Sequence, residues 1–207
     1  MAATGTRRTA TRVAQVWVSM KADDPEAISA LAVARTRLAA GRELVALSRM
    51  RLIELRGSLP TRPRLERLLH GSIQFYNPHK ERCLVRTTLR DASPASASQH
   101  VVVVTERGGE RRLAAERWWL HETGSNIEVR EGVAWLLEFA AGALAPLDDL
   151  ITVRDRRHGL LCNPHSQDAR TASGRLPLPW ISPPLTQDDG TRSAGPHRNE
   201  PEIEGMA

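Results

Sequence analysis

The feature that most narrows the folds open to this chain is a short phrase that occurs twice. Asn-Pro-His stands at Asn77-Pro78-His79 and again at Asn163-Pro164-His165, each time after a short apolar pair, Phe75-Tyr76 and Leu161-Cys162. A shared tripeptide alone is weak. The same tripeptide at the same point of a shared order of elements argues for internal repetition, and a repeat favours folds in which two like units pack together.

The order of elements does recur. In the first copy Val13–Met20 alternates, with Ala14, Val16, Val18 and Met20 on one face of a strand. Asp24-Pro25 reads as a helix N-cap with proline in the first turn, and Ile28, Leu31, Arg35 and Leu38 follow at helical spacing to a stop at Gly41. Two apolar runs, Leu44–Leu47 and Leu52–Leu55, flank polar Ser48-Arg49 and predict a hairpin or bent strand pair. Pro63 opens a second helix carrying Leu65, Leu68 and Leu69, and Cys83-Leu84-Val85 closes the unit as a strand.

The second copy repeats this. The valines of Val101–Val104 suit a strand buried on both faces. Glu110–His121 reads as a helix with Leu113, Ala114, Trp118 and Leu120 inward, ended by Gly124. Ile127–Phe139 predicts the strand pair, turned near Glu131-Gly132, and Leu147–Arg157 the second helix. The sequence therefore predicts an α+β chain of two ferredoxin-like β-α-β-β-α-β units in tandem, residues 13–90 and 100–170, joined by the polar linker Asp91–Gln99. From 171 to 207 proline, glycine and charge dominate, which predicts a disordered tail whose one apolar island is Leu176–Ile181.

Composition bounds the function. The 207 residues carry 29 basic and 24 acidic side chains, net +5, and only two of the basic ones, Lys21 and Lys80, are lysine. The arginines are spread rather than clustered, which disfavours a nucleic-acid surface. No apolar run reaches the ~18 residues of a membrane span, and Met1–Arg12 lacks the apolar stretch of a secretory signal. With only Cys83 and Cys162, the chain is not a disulfide scaffold and fits a reducing cytoplasm.

Candidate chemistry is sparse. His79-x3-Cys83 and His158-x3-Cys162-x2-His165 bring imidazole and thiol close in sequence, but they lack a Cys-x2-Cys knuckle and sit out of register in the repeat, so no metal is expected. Cys162 beside His158 or His165 is the one conceivable nucleophile, and its apolar setting reads better as core. Glu128, Glu131 and Glu138 read as a solvated sheet face, and Trp118, Trp119 and Trp135 as core. Arg107-Gly108-Gly109 lacks the spacing and lysine of a phosphate loop. No catalytic residue and no cofactor are expected.

The residues resemble those of one family, the small subunit of bacterial phosphoribosylformylglycinamidine synthase. Its units begin "V-x-V-x-L-K" and Asp-Pro, continue "V-R-x-G-K-x-x-E-L", and close "L-L-A-N-P-x-x-E". Here the first unit has Val16-Trp17-Val18-Ser19-Met20-Lys21, Asp24-Pro25, Leu47–Leu55 and Asn77-Pro78-His79-Lys80-Glu81. The second has Val129-Arg130-Glu131-Gly132-Val133 and Leu160-Leu161-Cys162-Asn163-Pro164-His165-Ser166-Gln167. Met50 replaces the hairpin glycine of the first unit; Val133 replaces the turn lysine of the second, which also lacks Asp-Pro and ends in Gln167.

The resemblance implies a non-catalytic bridging subunit of an ATP-dependent ligase complex in purine biosynthesis. It would assist ammonia transfer between glutaminase and synthetase subunits, with the tandem chain as a fused homodimer and further homo-oligomers possible. It also implies contact residues: Asn77, Pro78, Asn163 and Pro164 in the turns, and Arg49, Arg51, Arg130 and Gly132 in the hairpins. The alternative is a diverged regulatory, small-ligand or nucleic-acid-binding module of the same fold.

Overall fold

The computed structural model describes residues 12–140 and 147–183. Its elements run β1 (Arg12–Met20), α1 (Pro25–Arg37), a 3₁₀ turn (Ala40–Glu43), β2 (Leu44–Gly57), α2 (Arg62–His70), β3 (Glu81–Arg86), β4 (His100–Glu106), α3 (Leu113–Thr123), β5 (Ile127–Phe139), α4 (Leu147–Ile151) and β6 (Gln167–Ser173). The strands form one open six-stranded antiparallel sheet in the order β3-β1-β2-β5-β4-β6.

The predicted hairpins are absent. Leu44–Gly57 and Ile127–Phe139 are each one continuous strand, and they pair with each other from Leu44↔Phe139 to Gly57↔Ile127. Each half thus supplies three strands in the order β-α-β-α-β, not four. The polar residues that suggested turns, Ser48-Arg49 and Glu131-Gly132, lie mid-strand, paired Ser48↔Leu136, Arg49↔Trp135, Ile53↔Glu131 and Leu52↔Gly132. A central strand tolerates charge where no helix covers it, so a polar interruption need not mark a turn.

Alternation assigns the two faces. Val16, Val18, Ile53, Leu55, Val102, Val104, Trp135 and Leu137 point to the helices. Trp17, Leu52, Val101, Val103, Ala134 and Leu136 point to the other face. The four valines of β4 serve both faces, as their lack of alternation predicts, and each is at most 5% exposed.

Both helix-side cores draw on both halves. Ala115 and Trp119 of α3, from the second half, join Ala14, Val16, Val18, Leu65, Leu69 and Phe75 of the first half in one core. Ala27 and Ala34 of α1 join Val102, Val104, Trp135, Leu150 and Ile151 of the second half in the other. Neither core is confined to one half, because β2 and β5 pair at the centre of the sheet and bring the halves together.

Local signals were read unevenly. Asp24 caps α1 as predicted, accepting from the N–H of Glu26 (2.9 Å) and Ala27 (3.4 Å). Ile28, expected inward, is 56% exposed, and the inward face is Ala27 and Ala34. In α3 the buried residues are Ala115 and Trp119, one position on from Ala114 and Trp118, while Leu113 and Leu120 are exposed. Gly124 does cap α3, at φ +70°. Gly41 ends nothing by left-handed geometry; a Cβ there would lie 2.1 Å from the Ala34 carbonyl oxygen, so it permits close approach of the 3₁₀ turn to α1. The helix expected to reach Arg157 stops at Ile151, after which Thr152 bridges Cys162.

The predicted disordered tail is also corrected. Residues 171–173 belong to β6, and Leu176, Trp180 and Ile181 are buried against the helix-free face of the sheet. The rest of the expected tail, 184–207, and the N-terminal residues 1–11 lie outside the described residues. Among the described residues no helix is long and apolar enough to cross a membrane.

Candidate binding cleft at the centre of the sheet

Between the two helix-covered cores the middle of β2 and β5 is left open, and the helix-side positions there are Arg49, Arg51 and Glu131. Two hollows lie here, and both are lined by Arg49. One, of about 410 Å³, is lined by Glu26, Arg49, Glu106, Arg112, Glu131 and Trp135 among others. The other, of about 240 Å³, is lined by Val18, Asp24, Arg49, Arg51, Asn77 and Glu81 among others. The strand registers place them at corresponding points of the two halves: Val18 answers Val104, Arg49 answers Glu131, and Glu81 answers Gln167.

The charges are paired across elements. Arg49 reaches Asp24 (3.4 Å) and Glu26 (3.0 Å) at the start of α1 and lies 5.9 Å over the Trp135 ring. Arg51 lies 3.4 Å from Glu131 and 3.5 Å from Glu81, and donates to the Phe75 carbonyl at 2.6 Å. Arg112, just before α3, also pairs with Glu131. Among the described residues the Nε–H groups of Arg49 and Arg51 are buried without a hydrogen-bond partner; Glu26 is near enough to attract Arg49 but not in line with its N–H. Such a half-buried network of three arginines and four carboxylates is suited to fixing a shape and reading a polar surface.

The Asn-Pro turns are built alike. In the first, Asn77 Oδ1 accepts from the His79 N–H (3.0 Å), the Asn77 N–H donates to Glu81 Oε2 (2.6 Å), and the Asn77 carbonyl accepts from the Glu81 N–H (2.8 Å). In the second, Asn163 Oδ1 accepts from His165 (3.0 Å), the Asn163 N–H donates to Gln167 Oε1 (2.8 Å), and its carbonyl accepts from the Gln167 N–H (2.8 Å). The asparagines therefore close turns into β3 and β6, and glutamine replaces glutamate without loss because only an acceptor is required.

Of the contact residues implied by the sequence, the structure gathers Arg49, Arg51, Gly132 and Asn77 at the cleft. Gly132 is no turn: a Cβ there would lie 2.9 Å from the Val104 carbonyl oxygen, so glycine lets β4 approach. Arg130 faces away, paired with Glu110 (2.6 Å) and Glu128. Glu131, read as solvated, is half-buried and central, and Arg112 was missed; nothing in sequence spacing joins residues on β5 and α3 across a sheet.

The thiols are not activated. Burial, with Glu66 adding to it, pushes Cys83 up to about 11. Burial also raises Cys162, with Asp168 adding to it. A nucleophilic cysteine needs the opposite shift. His158 is bound to Asp155 at 3.0 Å. Among the described residues no group of three or more His, Cys, Asp or Glu is placed to hold a metal ion. Comparison with protein-family models, with curated proteins and with solved structures gives no match.

Proposed function

We propose that this chain is a non-catalytic bridging protein in which two related three-stranded halves, each β-α-β-α-β, are fused and paired through one sheet. Its assigned partners are the glutaminase and synthetase subunits of a phosphoribosylformylglycinamidine synthase-like complex in purine biosynthesis. The observation that carries the paired-unit reading is the Asn-Pro turn. The same three hydrogen bonds recur at corresponding registers of β3 and β6 in a strand order that reads alike from both edges. The partner assignment rests on the motif resemblance, to which the turns and the Arg49–Arg51 cleft belong.

Copurification of the tagged full chain from its own cells tests it. The two subunits come down together with the wild-type chain, and deletion of the chain gives purine auxotrophy. A clean pulldown with neither subunit, together with growth of the deletion strain without purines, removes the assignment. The roughly 410 Å³ hollow favours a second reading, a small-ligand module of the same fold. That reading predicts a ligand-dependent rise in Tm lost in Trp135→Ala.

A further inference from the structure

The helix-free face of the sheet carries one polar rung among apolar ones. Across β3-β1-β2 the paired residues are Arg86, Gln15 and Glu54; across β6-β4-β5 the corresponding rung is Ala172, Val101 and Leu136. The sheet itself therefore does not require polar side chains here. Yet Gln15 and Glu54 are fully buried and Arg86 is 2% exposed.

Their partners are the main chain of residues 176–182. Glu54 accepts from the N–H groups of Trp180 (2.5 Å), Ile181 (3.0 Å) and Ser182 (2.7 Å), and from Gln15 Nε2 (2.8 Å). Gln15 Nε2 also donates to the Pro177 carbonyl (2.8 Å), and Arg86 to Gln15 Oε1 (2.9 Å) and the Leu176 carbonyl (3.4 Å). From the opposite edge strand, Arg170 donates to the Trp180 and Ile181 carbonyls. Leu176, Trp180 and Ile181 fill an apolar seat with Leu52, Val101, Val103, Ala134 and Leu136, and Trp180 lies 6.2 Å from Trp17, ring centre to ring centre.

This is the arrangement of a peptide complex. Charged side chains read main-chain donors and acceptors, and apolar seats take a few large anchors. Pro177 and Pro179 have no N–H to add as a strand, so recognition falls to side chains, and their fixed φ lowers the ordering cost.

We propose that this face is a recognition groove for extended, proline-rich peptides bearing a large apolar anchor, and that residues 176–182 occupy it as an intramolecular ligand. A tethered occupant acts at millimolar effective concentration, so a free peptide enters only when the tether's own hold is weakened.

The probe is a fluorescein-labelled synthetic peptide spanning Gly174 to Pro183, read by anisotropy against full-length protein. The full-length Trp180→Ala chain binds it at least ten-fold more tightly than the wild type does, because the cis anchor is gone. Adding Glu54→Leu, which installs the residue of the apolar rung, abolishes that binding, and a scrambled peptide binds neither chain. In the wild type, the Trp180, Ile181 and Ser182 amides exchange with solvent at least ten-fold faster than those of Val16 and Ile53, reporting release of the segment ahead of global unfolding. A folded Trp180→Ala chain that ignores the peptide, equal binding of the scrambled peptide, or undiminished binding after Glu54→Leu overturns the proposal. If Trp180→Ala does not fold, the wild-type exchange decides: release only with global unfolding makes the segment ordinary core and overturns it.

Discussion

Trp119→Ala tests the interlocking of the two halves. Trp119 belongs to α3 of the second half, is fully buried, and meets Phe75 of the first half edge-on at 6.2 Å. A buried tryptophan removes up to ~250 Å² from water. At ~25 cal/mol per Å² the transfer value approaches ~6 kcal/mol, an upper bound because the unfolded chain already buries part of that surface. Measured truncations of this kind cost ~3–5 kcal/mol. With a urea dependence of ~2–3 kcal/mol per molar, the midpoint should fall by roughly 1–2.5 M.

Far-ultraviolet circular dichroism follows the transition, since tryptophan fluorescence is altered by the substitution itself. Trp119→Phe is the control. It keeps an aromatic ring and removes an indole N–H that, among the described residues, is buried without a partner, so the lost area and the relieved desolvation offset each other to within ~1 kcal/mol. The decisive readout is where protection is lost. Because α3 completes the core of β1 and α2, the amides of Val16, Val18 and Leu69 exchange faster in Trp119→Ala along with those of α3. Loss confined to α3, β4 and β6 would refute the shared core.

Three further outcomes follow from local geometry. Gly41→Ala places a methyl 2.1 Å from the Ala34 carbonyl oxygen, so it displaces the 3₁₀ turn and lowers Tm; an unchanged Tm shows that the close approach is not needed. Asp91 is held down to about 2 by the N–H groups of Thr87 and Thr88 and their hydroxyls, Thr87 first. A carboxyl depressed on folding stabilises above its unfolded value near 3.8, and that stabilisation drains away as pH falls toward 2; Asp91→Asn therefore loses ~1 kcal/mol at pH 7 and flattens the pH 4-to-2 limb in acid titrations of stability. Cys83 and Cys162, both raised by burial, resist a thiol reagent at pH 8 in the native chain and react fully in denaturant; rapid native labelling contradicts their placement.

Much of the fold is legible locally. The alternation of β1, the Asp24-Pro25 start of α1, the unbroken valines of β4 and the Gly124 stop are each short-range effects of packing or backbone geometry, and each sits where the sequence puts it. The Asn-Pro turns are of the same kind, because every hydrogen bond that closes them lies within five residues. Where reading by pattern went astray, partners distant in sequence decided. Ser48-Arg49 and Glu131-Gly132 look like turns until each strand has the other to pair with. Ile28 and Leu113 fit an inward face until tertiary packing buries Ala27, Ala34, Ala115 and Trp119 instead.

The candidate site divides the same way. Arg49 and Arg51 were visible as polar residues inside an apolar run, but their partners Glu26, Glu81 and Glu131 come from three other elements. Gln15 and Glu54 gave no signal of burial, because the alternation that puts Ala14, Val16 and Val18 inward leaves Gln15 and its pair Glu54 on the opposite face. What covers that face was not legible, because a proline-rich stretch has no periodicity and looks disordered until something binds it. The sequence by itself determined β1, β4, the Asp24 and Gly124 caps and the repeated turn, whose energies are local. Only the tertiary structure decided that two long strands pair at the centre, that the helix-side cores mix residues of both halves, and that residues 176–182 fill the remaining face, because those choices rest on burial between residues far apart along the chain.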